Sequence, residues 1–208
     1  MNNEFDAKAK SWEENPVKSR LAQAVGDAIL AEVPSDSRNT AFEYGCGTGL
    51  LSFALRAHFD RIVMADSSRG MLEVLRSKIA ESRTDNMSIV EMDLTQSNSL
   101  TETFDVVYTM MTLHHIPDTE KVMSELTGLV KPGGWLFVAD LDAEDGSFHG
   151  EGFTGHKGFS RDAMRTHGQK YGLTDFAFQT VFQMPKRTPS GEEKQFSVFF
   201  LSCRKPLV

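Results

Sequence analysis

The chain is short of cysteine and of positive charge. Only Cys46 and Cys203 occur among its 208 residues, far apart and outside any CxxC pair or Cys/His cluster of zinc spacing, so neither a disulfide scaffold nor a structural zinc site is expected. Lys and Arg number 22 against 29 Asp and Glu, a net charge of −7. That balance argues against nucleic acid and against anionic membranes as partners, because phosphate-rich surfaces are held by clustered positive charge. No apolar run approaches the ~18 residues of a membrane span. The opening MNNEFDAKAKSWEENP also lacks the apolar stretch of a signal peptide, which makes the cytosol the default location. What remains is an ordinary composition, 40% hydrophobic and 25% charged, with room for one domain and a modest appendage.

Val17, Leu21, Ala24, Val25, Ala28 and Ile29 recur at three- and four-residue steps and predict an amphipathic helix that Pro34 ends. The short strand TAFEYG follows, running into CGTGL and a helix, GLLSFALRAHF. Strand RIVMAD, helix SRGMLEVLRSKIAES and strand MSIVEMD repeat the alternation. FDVVYTM is a fourth strand, DTEKVMSELTGLV its crossover helix, stopped by Lys131, Pro132 and two glycines, and GWLFVADL a fifth strand. Strands alternating with helices signal a parallel sheet covered on both faces. Five glycines between Gly146 and Gly158 predict a mobile functional loop. SRDAMRTHGQKYG reads as another helix, and the tail holds two long β segments joined by PKRTPSGEEK, most simply an antiparallel pair.

EYGCGTG places Gly45, Gly47 and Gly49 where the first strand exits, at the edge of an α/β sheet where ligands bind. The dinucleotide fingerprint needs a glycine where Leu50 stands. Glu43, just before the turn, is awkward beside a pyrophosphate and favourable beside a cation. S-adenosylmethionine (AdoMet), with its ammonium and sulfonium and no phosphate, fits that description. Asp66 ends the second strand about 20 residues past Gly45, the distance at which a carboxylate meets a ribose in such folds, unless it caps the next helix. Asp93 can accept a bond from the adenine amine or merely form a turn.

FEYGCGTG, VMADSS, VEMDL, FDVVYTMMTLHHIPD and LVKPGGWLFVADL, in that order between about Ala41 and Leu141, resemble the class I AdoMet-dependent methyltransferases, in particular the small-molecule branch of ubiquinone and menaquinone biosynthesis. The resemblance implies a Rossmann-like, doubly wound, mostly parallel seven-stranded sheet with an antiparallel last strand and helices on both faces. It implies an N-terminal helical lid over residues 1–36, ahead of a methyltransferase domain over 37–208. AdoMet would lie across the first, second and fourth strands. Gly45, Cys46, Gly47 and Gly49 would flank its methionine part, with Glu43 on the ammonium. Asp66 would hold the ribose between Ser67 and Met71, Asp93 and Leu94 would clamp adenine, and Met110 would sit near the sulfonium.

Methyl transfer needs alignment and exclusion of water, and a base only if the acceptor arrives protonated. His114 and His115 follow the fourth strand. Adjacent residues do not share a helical face, so at most one is expected to enter the site, and His114 is the candidate base. His149 and His156, with Asp142, Glu144, Asp145 and Glu151, match no compact ligand spacing, and no metal is expected. Phe148, Phe153 and Phe159 either line the acceptor pocket or anchor the loop. Phe5 and Trp12 belong either to the lid or to a frayed terminus. The expected function is methyl transfer from AdoMet to a small-molecule acceptor, leaving S-adenosylhomocysteine. A catalytically silent AdoMet-binding module and, further off, a nicotinamide oxidoreductase are the alternatives.

Overall fold

The structure is a computed structural model describing residues 4–96 and 100–207; residues 1–3 of the expected lid and residue 208 lie outside it. Among the described residues the β-rich runs become strands β1 (Thr40–Tyr44), β2 (Arg61–Asp66), β3 (Met87–Glu91), β4 (Phe104–Met110), β5 (Val130–Leu141), β6 (Thr174–Arg187) and β7 (Glu193–Arg204). They form one sheet in the order β3-β2-β1-β4-β5-β7-β6. β1 through β5 pair in parallel, and β7 lies antiparallel between β5 and β6. The implied seven-stranded sheet with an antiparallel last strand is therefore present.

Among the described residues six helices surround it: α1 (Glu4–Lys8), α2 (Pro16–Glu32), α3 (Leu50–Leu55), α4 (Arg69–Ser82), α5 (Thr119–Leu129) and α6 (Arg161–Lys170). Their starts are fixed by short polar side chains that accept an otherwise orphaned N–H. Asn15, Ser68, Asp118 and Ser160 accept from Val17, Met71, Lys121 and Ala163 respectively. Two boundaries differ from expectation. The helix after the glycine loop stops at Leu55, and the chain loops back to bury Phe59. The helix stops before KPGG as expected, but β5 starts at Val130, ahead of GWLFVADL, because Gly133 and Gly134 hydrogen-bond to Lys205 of the tail, which draws them into the sheet.

Strand side chains alternate between two cores. Ala41, Val106 and Tyr108 pack with Leu21, Val25, Leu51 and Leu75 of α2, α3 and α4 on one face. Phe42, Phe104 and Val107 pack with Val122, Leu126 and Met164 of α5 and α6 on the other. Strand order reverses between β1 and β4, and the crevice outside such a switch point is the ligand-binding place of open α/β sheets. α2 packs mainly in the first core, and its first turns, with the chain before it, border that crevice through Val17, Lys18 and Leu21.

Candidate active site

A cavity of about 540 Å³ opens at the carboxyl ends of β1, β2 and β4, a size in the range of small-molecule sites. Its floor is the glycine loop. The N–H groups of Gly45 and Cys46 donate to the Ala65 carbonyl (2.8 and 3.0 Å) and that of Gly47 to Asp66 Oδ2 (2.8 Å). These amides are spent on the end of β2 and do not form a phosphate cradle. Gly45 has φ +70°, and a Cβ there would lie 2.2 Å from the Thr112 side chain, so only glycine fits. Gly49 starts α3 with φ +82° and packs on Leu75, behind the cavity wall.

Glu43 is 2% exposed. Its carboxyl accepts a short bond from the Ser52 hydroxyl, which also meets Tyr108 OH at 2.8 Å. Burial pushes it up to about 8, assisted by the Asp66 charge and opposed by the Ser52 bonds and by Lys78. Asp66 is also raised by burial, against the N–H groups of Ser68, Gly47 and Ser67. Ser68, not Asp66, caps α4, while Asp66, whose two oxygens accept from the N–H groups of Gly47 and Ser68, lines the cavity. Asp93 lies two residues beyond β3 and lines the cavity, while one of its oxygens holds the N–H and hydroxyl of Thr95 (2.9 and 2.6 Å), so it also makes the turn.

At the opposite end, β4 runs into a 3-10 turn, Leu113–His115, reached through Met111 at φ +53°, a backbone strain typical of functional sites. His114 is 1% exposed, and its Nδ1 lies 2.5 Å from Asp140 Oδ1 at the end of β5; its backbone N–H points at the other oxygen (3.3 Å). Both His114 and His115 line the cavity, with ring centroids 4.1 Å apart, which overturns the expectation that only one would. The argument from helical faces fails because the two sit on a tight 3-10 turn. Burial and the neighbouring imidazoles of His114 and His149 lower His115 to about 3, so it is neutral. His149 comes in from the 143–159 loop, 5.2 Å from His114, and stacks on Phe153 at 3.8 Å. His156, grouped with it on sequence, instead bonds Thr119 and the Ile116 carbonyl. Phe148 lines the cavity and Phe159 is buried in the core beyond it.

The remaining wall comes from the N-terminal residues and β6. Phe5, Lys8, Trp12 and Lys18 line the cavity together with Lys186. The segment is tied down by Asp6, which accepts from Ser68 Oγ (2.5 Å) and Gly70 N (2.8 Å) at the start of α4, and by Glu13, which accepts from Thr48 Oγ1 (2.5 Å) and pairs with Lys78. Lys18 lies 3.1 Å from the Trp12 ring and Lys186 3.6 Å from Phe148. Burial and the charges of Lys8 and Lys186 lower Lys18 to about 8.

Of the expected site residues, Glu43, Gly45, Cys46, Gly47, Asp66, Ser67, Met71, Asp93, Met110 and His114 line this one cavity. Leu94 does not: it is buried in the second core, its N–H on Tyr44 OH. Sequence reasoning missed Thr112, Asp140, Lys18 and Lys186. Of these only Asp140 carried any signal, as a carboxylate near the end of a strand.

This strand order, with a carboxylate-flanked glycine loop at the switch point, is that of the class I methyltransferase fold. A family described as methyltransferase domain matches residues 42–138. That segment, just under half of the chain, resembles the class I AdoMet-dependent methyltransferases and is distantly homologous to ubiquinone biosynthesis O-methyltransferases. The enzyme of that name from Coxiella burnetii is 31% identical over 100 residues, 48% of this chain and 42% of the relative. The chain thus spans less than half the length of the curated relatives it matches. A chain of the complex between the Haloferax volcanii Trm112 methyltransferase activator and a methyltransferase superposes with TM-score 0.78 at 20% identity, over 99% of both chains. Phosphoethanolamine N-methyltransferase 2 of Haemonchus contortus, solved with S-adenosyl-L-methionine, gives 0.65 at 15%, over 81% of this chain and 49% of that one.

Proposed function

We propose that the protein transfers a methyl group from AdoMet to a small, negatively charged acceptor. The observation that carries this reading is one continuous cavity lined by buried Glu43, half-buried Asp66 and the Asp140-held imidazole of His114. The fit to AdoMet rests on the loop amides being already used, which disfavours a phosphate, and on two carboxyls suited to an ammonium and a ribose diol. When bound, AdoMet supplies an electrophilic methyl on a sulfonium.

The chain's own residues do the rest. Glu43 as carboxylate holds the ammonium, Asp66 the ribose beside Ser67 and Met71, and Asp93 the adenine amine. Gly45, Cys46 and Gly47 give the methionine arm a close floor, and Met110 borders the transfer region. Asp140 fixes His114 with its proton on Nδ1, leaving Nε2 to accept the acceptor's proton as it becomes a nucleophile. Phe5 and Trp12 cover the opening and exclude water. Lys8, Lys18 and Lys186 line the same cavity. Lys186, against Phe148 on the histidine side, favours an acceptor bearing a carboxylate or phosphate-like group.

Calorimetry with S-adenosylhomocysteine, followed by labelled methyl transfer over a panel of acidic and neutral acceptors, tests this. Binding, with turnover on an acidic acceptor that falls 10²–10⁴-fold in His114→Gln, is expected. Binding without turnover on any acceptor points to the silent module. Absence of binding removes the assignment.

A further inference from the structure

We propose that His114, His115 and His149 form a binding site for a divalent transition-metal ion of the zinc type at the acceptor end of the cavity. One ring nitrogen from each of the three lies within 4.8 Å of the others. Nδ1 of His114 is engaged by Asp140 at 2.5 Å, which leaves Nε2 to the cluster. Such a carboxylate–histidine pair is the usual support of a metal-bound imidazole: it fixes the tautomer and makes the free nitrogen more basic. Three imidazoles with one side open to a cavity reproduce the ligand set of catalytic zinc sites, which keep a fourth position for water or substrate. Imidazole favours zinc, copper, nickel and cobalt over magnesium or calcium, which take oxygen ligands.

Closing the triad requires little movement. Nitrogens bound tetrahedrally at about 2.0–2.1 Å sit roughly 3.4 Å apart, so no pair, all lying within 4.8 Å, has to contract by more than about 1.4 Å. The two half-buried members supply that adjustment: His115 on its 3-10 turn and His149 on the 143–159 loop. Loop and turn are already latched together, with His156 N–H donating to the His114 carbonyl at 2.7 Å. A Cβ at Gly155 would fall 2.2 Å from that same carbonyl, so the close approach that brings His149 in depends on glycine. With an ion in place, Nε2 of His114 is a ligand and no longer a base, and the fourth position faces the acceptor.

The inference stands apart from the methyl-transfer reading, because metal binding is read without AdoMet or acceptor. The full chain, stripped with chelator, is titrated with Co(II) and then competed with Zn(II). One equivalent of Co(II) with the intense visible bands of tetrahedral cobalt, displaced by zinc, is expected. His149→Ala and Asp140→Asn should each weaken zinc binding 10–100-fold, while His58→Ala, at an exposed histidine, leaves it unchanged. In the wild type, zinc should shift the imidazole ¹⁵N resonances of His114, His115 and His149. This last readout holds even if a variant fails to fold. No cobalt bands at one equivalent, shifts confined to other histidines, or His149→Ala binding zinc like wild type would each overturn the site. Loss of S-adenosylhomocysteine binding alone would leave it standing.

Discussion

The proposed seat of the AdoMet ammonium at Glu43 requires a change in that carboxyl's charge, and the change is measurable. The Glu43 pKa of about 8 in the unliganded protein leaves roughly nine-tenths of the carboxyl protonated at pH 7. The groups facing it are Ser52 and Tyr108, the thiol of Cys46, the carboxyl of Asp66 and, further off, Lys78, and none of them supplies a full compensating charge. An ammonium seated beside Glu43 requires the carboxylate, so S-adenosylhomocysteine should release about 0.9 proton on binding at pH 7. Its affinity should rise roughly 50-fold from pH 6 to pH 8. Calorimetry in two buffers of different ionisation enthalpy reads the proton count directly. Adenosine, which has no ammonium, is the control and should bind with no comparable slope. Glu43→Gln should bind S-adenosylhomocysteine more weakly at pH 8 and flatten its pH dependence. Equal slopes for the two ligands, or no proton released at pH 7, would refute the placement of the ammonium at Glu43.

Three further outcomes follow from the same geometry. Because the folded-state pKa of Glu43 lies above the ordinary 4.5, its stabilising contribution is full below that pH and is lost as pH rises toward 8. Unliganded Glu43→Gln should therefore melt above wild type at pH 8, with a ceiling of about 5 kcal/mol, and the two should converge near pH 4.5; a pH-independent difference in thermal unfolding contradicts this. Gly45→Ala forces a Cβ onto Thr112 at φ +70° and should cost about 1–3 kcal/mol, so an unchanged denaturant midpoint would refute the steric account. Asp6→Ala removes the acceptor for Ser68 Oγ and Gly70 N–H, worth about 1–2 kcal/mol of local closure. Hydrogen exchange over residues 4–12 should quicken roughly tenfold with global melting unchanged, and unaltered exchange would mean that Asp6 does not hold this segment over the cavity.

Local pattern was enough for most of the fold. β2 and β4 fall on RIVMAD and FDVVYTM, and the helix after Asn15 begins at the proline next to it, because strand runs and caps are set by residues adjacent in the chain. The errors came where distant chain intervened. KPGG does stop α5 at Leu129, but pairing with the tail at Lys205 also draws it into β5, which starts earlier than GWLFVADL, and Leu94, which carries no mark distinguishing it from a contact residue, goes into the core.

The cofactor side of the site was legible for a related reason. Glu43, Gly45, Gly47 and Asp66 belong to two successive strand–turn units, and the parallel pairing of β1 with β2 brings their carboxyl ends side by side. The sequence alone therefore determined the layered architecture and the end of the cavity suited to a charged nucleoside. Only the tertiary structure decided the other end. Asp140 meets His114 because β5 lies beside β4, His149 joins them from a loop crossing back over the sheet edge, and Lys18 and Lys186 converge from a helix and a strand far apart in sequence. Spacing along a chain carries no record of such meetings, because they are fixed by strand order and by where returning loops come to rest.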